Sequence, residues 1–294
     1  MHRGIVVAVD AQGSVLFERG DASAPHFPRS SNKPIQALAM VRSGLDLPAD
    51  LLALASASHS GEDFHLDGVR RVLASAGLSE DDLQNTPDLP YDEQARREWL
   101  AAGHEPTSIA QNCSGKHAAM LATCVVNDWD TATYRDPSHP LQVAMADALA
   151  DLCGESVAAT GIDGCGAPVM AVSPLGLARA FGRLAAATDG PERVVAQAIR
   201  EFPEFLGGTR RDVTDLIRSV PGLVAKDGAE AVYAIGLPDG RGVVVKIADG
   251  GQRARPVVAA AALRELGVEA EVLERLASAP ILGHGQPVGT VRAV

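Results

Sequence analysis

A serine and a lysine lie three residues apart at the predicted start of a helix. Ser30 and Lys33 belong to the segment RSSNKP at residues 29–34, and Pro34 suits a first helical turn because its missing N–H costs nothing there. Residues three apart share one helical face. A serine hydroxyl is a poor nucleophile near neutral pH, but a neutral lysine amine within reach can activate it. The pair therefore predicts acyl transfer, although this short pattern is more often a helix cap beside a solvated lysine.

Further polar clusters lie at other predicted element boundaries, where functional sites usually form. A loop of small polar residues, SASHSGE at 56–62, contains Ser58. The segment NCSGKH at 112–117 opens an apolar helix, and the glycine-rich segment DGCGAP occupies 163–168. The last cluster is KDGAE at 226–230. The sequence thus places hydroxyls, amines and thiols in short motifs that a fold could bring together.

The composition limits the classes of function. The chain of 294 residues is 46% apolar and 21% charged, and its formal net charge of −11 disfavours nucleic acid or an anionic membrane surface as the main partner. The first residues, MHRGI, show neither the apolar run nor the cleavage site of a signal peptide. We therefore expect a cytoplasmic protein whose four cysteines are thiols or metal ligands and not disulfides.

Two predicted hairpins frame a helical middle. Residues 5–9 and 14–18 predict the first hairpin, and residues 231–237 and 243–248 predict the second, across the turn PDG. Helical periodicity predicts helices at 34–45, 51–56, 65–76, 92–102, 111–125, 140–152, 174–186, 191–202, 209–220 and 256–266. The sequence therefore predicts an α+β fold, a single domain over residues 1–294 in which both hairpins join one antiparallel sheet beside a helical lobe.

Taken together, these motifs resemble those of the rhizobial-type L-asparaginases. The cysteine-containing segments at 112–117 and 163–168 are the specific part of the resemblance, because Ser-x-x-Lys and Lys-x-Gly alone indicate only a wider group of serine acyltransferases. The resemblance implies a fold similar to serine β-lactamases, penicillin-binding proteins and bacterial glutaminases, with an antiparallel sheet built from N- and C-terminal strands. It also implies a homodimer.

The resemblance implies two serine–lysine pairs. Ser30 would be the leading nucleophile with Lys33 as its base or proton shuttle, and Ser58 with Lys226 would relay protons. Backbone N–H groups near Ser30 would form the oxyanion hole. Lys246 competes with Lys226 for the second lysine position, because an aspartate follows Lys226 where the wider fold prefers a hydroxyl residue.

The resemblance also implies a zinc site made by Cys113, Lys116 and Cys165, with water as the fourth ligand. Two thiolates and a neutral nitrogen can make such a tetrahedral site. Asp163 would bind the zinc-bound water or the amino group of the substrate, and Arg29 and His117 would contact the substrate carboxylate or support the site. The other two cysteines, at 124 and 153, receive no functional role because lone buried cysteines usually pack as small hydrophobes.

The first hypothesis is therefore an amidohydrolase that converts its small-molecule substrate, L-asparagine, to L-aspartate and ammonia through an acyl-enzyme on Ser30, with zinc aiding substrate binding. A second hypothesis keeps serine acyl transfer but changes the substrate, as in a glutaminase or a β-lactam-reactive hydrolase. A third is a zinc-binding amino-acid sensor without catalysis, which would keep the cysteines and lack the serine–lysine pairs.

Overall fold

The structure is a computed structural model that describes residues 1–294. In chain order its elements are β1 (Gly4–Val9), β2 (Val15–Arg19), α1 (Lys33–Arg42), α2 (Ala49–Ala55), α3 (Asp63–Ser75), α4 (Glu93–Ala101), α5 (Ser114–Val126), α6 (Pro140–Cys153), β3 (Ala159–Ile162), β4 (Pro168–Ala171), α7 (Pro174–Ala186), α8 (Gly190–Glu201), α9 (Pro203–Leu206), α10 (Asp212–Ser219), β5 (Val224–Gly228), β6 (Val232–Gly236), β7 (Gly242–Ile247), α11 (Ala254–Glu265), α12 (Glu271–Leu276), β8 (Ser278–Gly283) and β9 (Gln286–Arg292).

The two ends of the chain meet in one five-stranded antiparallel sheet. Its strand order is β2-β1-β7-β6-β5, and β1 pairs with β7 from Gly4 opposite Ile247 to Val9 opposite Gly242. Strands β1 and β7 are valine-rich, and residues 7–9 and 243–245 are fully buried, as expected for strands covered on both faces. The prediction of one antiparallel sheet built from both terminal hairpins is therefore confirmed.

Helix α7 lies directly on this sheet because two strand glycines leave room for its backbone. A Cβ atom at Gly236 would collide with the carbonyl group of Phe181, and one at Gly242 would collide with that of Ala178. Helices α1, α2, α5, α6 and α8 extend from α7 as the predicted helical lobe, and one contiguous apolar core joins this lobe to the sheet. The interpretation of residues 1–294 as one domain stays a prediction.

The segment before α1 differs from the predicted helix. Arg29–Asn32 form a 3-10 turn, and only Lys33 onwards is α-helical. The turn closes on Pro28, whose carbonyl oxygen accepts hydrogen bonds from the Ser31 backbone N–H at 3.2 Å and from its hydroxyl at 2.7 Å. Ser30 therefore lies in the turn before the α-helix, and Lys33 is the first residue of the helix.

Several short elements have no counterpart in the sequence prediction. They are α9, α12, the edge strand β5 of the main sheet, and the separate two-stranded sheets β3–β4 and β8–β9. Both hairpins are rich in glycine or proline, and neither shows the alternation of apolar and polar residues that predicts a strand. Elsewhere the predicted helices agree with the observed ones to within a few residues. None of the helices combines the length and apolarity required to cross a bilayer.

Candidate active site

A small cavity lies where the edge strand β5 approaches the turn before α1 and the loop at 56–62. Its volume is about 160 Å³, and it is lined by Ser30, Ser58, Tyr91, Asn112, Arg211, Asp227, Gly228, Ala229 and Gln252. Two of the four predicted catalytic residues, the serines, therefore contribute to one cavity although 28 positions separate them in the sequence.

The lysine at the start of α1 reaches the second of these serines. Lys33 is 1% exposed, and its Nζ lies 3.1 Å from Ser58 Oγ, 2.5 Å from the Ala57 carbonyl oxygen and 3.0 Å from Cys113 Sγ. No hydrogen bond joins Lys33 to Ser30, whose own hydroxyl has no partner in the protein. The hydrogen bonding thus pairs Lys33 with Ser58, whereas the sequence motif paired it with Ser30.

Gly228 allows the strand to lie against the serine-bearing turn. A Cβ atom at this position would lie 2.8 Å from the Pro28 carbonyl oxygen and 3.0 Å from the Ser31 backbone nitrogen, which is closer than side-chain carbons normally come. The backbone of β5 can therefore approach the turn that carries Ser30 only because the residue is glycine.

The second predicted lysine is also buried beside the cavity. Lys226 is fully buried, and its Nζ donates hydrogen bonds to the Asp227 carbonyl oxygen at 2.6 Å and to Asp227 Oδ1 at 2.8 Å. Burial, and after it the charge of the nearby Lys33, lower the pKa of Lys226 to about 8 against the opposing effect of Asp227. No hydrogen bond joins Lys226 to Ser58.

The competing lysine occupies a different place. Lys246 lies on β7, where its Nζ donates hydrogen bonds to the carbonyl oxygens of Glu230 at 2.7 Å and Ile247 at 3.0 Å. It is only half-buried and does not line the cavity. Of the two lysines, Lys226 is therefore the one whose position agrees with a role at this site.

The sequence motifs did not predict the network of charged residues beside Lys226. Asp227 Oδ2 accepts hydrogen bonds from Arg211 Nη2 at 2.5 Å and from Arg255 Nη1 at 3.2 Å, and Arg255 also binds Asp212 at 2.9 Å. Although burial opposes the charge on Asp227, the three neighbouring cations hold its pKa well below the usual range. This network fixes the end of β5 to α10 and α11.

The three predicted metal ligands form a buried cluster beside Lys33. Lys116 Nζ lies 3.3 Å from Cys165 Sγ, and Cys113 Sγ donates a hydrogen bond to Asn112 Oδ1 at 3.1 Å. Interaction between the two thiols, together with the charges of Lys116 and Lys33, lowers the pKa of Cys165 to about 4, whereas the same interaction and burial raise that of Cys113 to about 12. Of the two thiols, Cys165 is therefore the one whose surroundings favour the thiolate.

The donor set of this cluster is compatible with zinc. No group of three or more His, Cys, Asp or Glu side chains could hold a metal ion, so a site here requires the lysine as a ligand. Sulfur and nitrogen ligands of a tetrahedral zinc ion lie about 3.6 Å apart, and the observed 3.3 Å between Lys116 and Cys165 is close to this separation. The surroundings of Cys165 favour its deprotonated form, whereas Cys165 and Cys113 raise the pKa of Lys116 against the opposing effect of burial, so zinc would have to displace a proton from that amine.

Two of the predicted substrate-binding residues bind each other. Arg29 Nε donates a hydrogen bond to Asp163 Oδ1 at 2.7 Å, and the same guanidinium forms an ion pair with Glu230. Arg29 and Glu230 both have a positive φ, at 52° and 57°, a conformation that is rare outside glycine and often marks functional sites.

The remaining predicted residue, His117, is fully buried on α5. Its Nδ1 lies 2.6 Å from the Tyr134 hydroxyl, and its Nε2 has no hydrogen-bond partner. Burial, and after it the charges of Lys116 and Lys33, keep the pKa of His117 well below its usual value, so the ring is neutral. Its only side-chain hydrogen-bond partner is Tyr134, and it does not line the cavity.

One property of the sequence could have identified the lysines more directly. The chain has only four lysines, at positions 33, 116, 226 and 246, among 26 basic residues, and three of the four are no more than 2% exposed. Because arginine supplies nearly all the positive charge on the surface of this chain, a buried lysine is a candidate for a chemical role that arginine cannot fill. No comparable signal distinguishes Arg211, Asp227 or Arg255 from other charged residues.

Comparison with solved structures identifies several proteins of similar fold. The chain is 12% identical to Mglu in a crystal structure determined in 4.3 M NaCl, with a TM-score of 0.50 over 91% of this chain and 62% of that one. A β-lactamase from Mycobacterium bovis is 14% identical, with a TM-score of 0.48 over 90% and 95% of the two chains. A probable glutaminase from Bacillus subtilis, in complex with 6-diazo-5-oxo-L-norleucine, is 14% identical, with a TM-score of 0.38 over 83% and 76%.

At 12% identity, the similarity to Mglu shows only that the two chains share a fold. This chain spans about 62% of the length of Mglu. No curated protein sequence matches this chain significantly. The sequence model of a protein family, described as L-asparaginase II, matches residues 1–293. Because that match covers nearly the entire sequence, the chain belongs to the L-asparaginase II family.

Proposed function

We propose that this protein is an amidohydrolase that converts L-asparagine to L-aspartate and ammonia through an acyl-enzyme. Membership in the L-asparaginase II family supports the hydrolysis of an amide. The observation that carries the mechanism is the position of Lys33. Its amine is buried, has no carboxylate within 4.0 Å and lies 3.1 Å from Ser58 in a cavity that Ser30 also lines. A neutral amine in this position can accept a proton from a serine hydroxyl.

Ser30 is the proposed nucleophile because its hydroxyl is free of internal hydrogen bonds, whereas that of Ser58 is bound to Lys33. Ser30 attacks the side-chain amide carbon, and its proton passes through Ser58 to Lys33. The relay then returns a proton to the leaving nitrogen, which departs as ammonia. Water hydrolyses the resulting ester by the same relay, which restores Ser30 and releases L-aspartate.

Lys226 takes part in this scheme through its charge. Because its pKa is about 8, most Lys226 amines are positively charged at neutral pH, and a minor fraction is neutral. The positive charge stabilises negative charge that develops in the cavity. Backbone N–H groups beside Ser30 are the proposed oxyanion hole.

Zinc is the proposed cofactor, with Cys113, Lys116 and Cys165 as its ligands. When bound, it would supply a fixed positive charge for polar groups of the substrate. Arg29, Asp163 and His117 keep their proposed roles around the substrate and the cluster, and the Arg29–Asp163 ion pair connects the Ser30 turn to the loop that carries Cys165. The homodimer and the cytoplasmic location likewise stay predictions.

The substrate is tested by measuring ammonia release from L-asparagine and L-glutamine, with and without added zinc, and by adding a chromogenic β-lactam. We expect the highest kcat/KM with L-asparagine. A higher value with glutamine, or turnover of the β-lactam alone, would support the second hypothesis. Binding of asparagine without any ammonia release would support a sensor.

The nucleophile is tested by labelling the protein with a diazoketone analogue of asparagine and mapping the modified peptide by mass spectrometry. We expect modification of Ser30, none in Ser30→Ala, and slower modification of Ser30 in Ser58→Ala because the relay is broken. Modification of Ser58 in the wild-type protein would assign the nucleophile to Ser58 instead.

A further inference from the structure

We propose that Arg211, at the start of α10, binds the α-carboxylate of the substrate and selects for amides that carry one. This inference rests on the proposed function for the identity of the substrate. Arg211 is the only cationic side chain among the residues that line the cavity. It is therefore the one fixed positive group there that an incoming anion can contact directly.

The guanidinium has hydrogen-bond donors to spare. Its Nη2 binds Asp227 Oδ2 at 2.5 Å, and its Nη1 lies 3.3 Å from the Ser58 carbonyl oxygen. A guanidinium has five N–H donors, so these bonds leave several for a carboxylate. The contact with the Ser58 backbone places the guanidinium in the same cavity that Ser30 and Ser58 line. Only Cα and Cβ separate the carboxylate of asparagine from its amide carbon, so both groups fit in such a small cavity.

The orientation of Arg211 is determined before any ligand arrives. The Tyr91 ring stacks on the guanidinium, with 4.6 Å between the guanidinium carbon and the ring centroid. On the other side Asp227 is held by Lys226 and Arg255. A cation fixed between an aromatic ring and a carboxylate loses little conformational freedom when it binds an anion.

The local charge also favours an anion. Lys226, Arg211 and Arg255 are three cations that share two carboxylates, Asp227 and Asp212, which leaves one net positive charge at the cavity when Lys226 is protonated. The whole chain, in contrast, has a formal net charge of −11. A positive site within an acidic protein indicates a specific anionic group.

Arg29, which the sequence motif predicted to contact the substrate carboxylate, is less suitable for that role. Arg29 binds Asp163 and Glu230, and it does not line the cavity. A substrate carboxylate near it would also meet the negative charges of both carboxylates. Arg211 has one carboxylate partner, and that carboxylate is itself bound to two other cations.

The test compares two amides that differ only in the carboxylate, L-asparagine and 3-aminopropanamide. For Arg211→Gln we expect kcat/KM to fall roughly a hundredfold with L-asparagine, mainly through KM, and to change less than about threefold with 3-aminopropanamide. Arg210→Gln is the matched control, because Arg210 is exposed, binds Asp92 and lies outside the cavity. It should leave both values unchanged.

An equal loss with both amides in Arg211→Gln would overturn the inference, since a structural role affects both substrates alike. If Arg211→Gln does not fold, the Tyr91→Leu variant provides the test, because Tyr91 is exposed and its ring stacks on the guanidinium at the edge of the cavity. A several-fold loss confined to L-asparagine supports the inference, and an equal loss with both amides contradicts it.

If the wild-type protein releases ammonia from neither amide, the proposed function fails, and titration calorimetry with the same compounds still tests Arg211. Tighter binding of L-asparagine than of 3-aminopropanamide, lost in Arg211→Gln, would support a carboxylate site. Equal affinity for the two compounds in the wild-type protein would refute it.

Discussion

Replacing Lys226 by methionine should change how the stability of the protein depends on pH. Lys226 is fully buried, and burial lowers its pKa from 10.5 to about 8 in the folded protein. Between these two values the unfolded chain binds more protons than the folded one, so the free energy of unfolding rises with pH. The Lys226→Met variant lacks this amine, so its free energy of unfolding should not show the rise with pH that this amine causes. Asp227 keeps two arginine partners in the variant and stays ionised over this range.

The size of the effect follows from the two pKa values. One pKa unit corresponds to about 1.4 kcal/mol, so burial of the charged amine costs the wild-type protein about 3 kcal/mol well below pH 8. At about pH 9.5 the folded-state amine is neutral, and the remaining cost is about 1 kcal/mol. Relative to Lys226→Met, the wild-type protein should therefore gain about 2 kcal/mol between about pH 6.5 and about pH 9.5.

The assay is urea-induced unfolding of both proteins at several pH values, with the difference in free energy of unfolding plotted against pH. Groups common to both proteins cancel in this difference. Lys246→Met serves as a control, and its difference should change less because Lys246 is only half-buried. A difference that stays constant within about 0.5 kcal/mol would refute the argument that burial disfavours the charged form of Lys226.

Three further changes test other parts of the site. Gly228→Ala places a Cβ 2.8 Å from a carbonyl oxygen of the turn that carries the proposed nucleophile, so kcat should fall roughly a hundredfold while circular dichroism shows a retained fold. Arg255→Met removes a buried partner of Asp227 and should lower the free energy of unfolding by about 3 kcal/mol in urea titrations. We expect elemental analysis to find zinc in the wild-type protein and in Cys124→Ser, but not in Cys165→Ser. A wild-type protein purified without zinc from zinc-supplemented medium would contradict the proposed metal site.

Much of the architecture could be predicted from local patterns. Runs of β-favouring residues and the turn residues between them predicted the hairpins that became β1–β2 and β6–β7, and helical periodicity predicted the long helices. These predictions succeed because hydrophobic period and turn chemistry act over a few residues. The glycine- and proline-rich hairpins β3–β4 and β8–β9 escaped prediction because their pairing has no such periodic signal.

The motifs also identified, from residue types alone, most of the groups that meet at the cavity and the cysteine cluster. Which of these groups contact each other depends on how the helices, strands and loops pack. Whether Lys33 contacts Ser30 or Ser58 is determined by the 3-10 turn at Arg29–Asn32 and by the loop that approaches it, neither of which spacing reveals.

The fold class, the family and the small set of residues with the required chemistry could be inferred from the sequence, because they depend on residue type and local order. Which amine lies beside which hydroxyl, and which arginine lines the cavity, depends on how the elements pack in three dimensions. Arg211, Asp227 and Arg255 come from three different elements and have no shared motif. Their distances result from how α10, β5 and α11 pack, and a few tenths of an ångström in that packing separate a hydrogen bond from no bond at all.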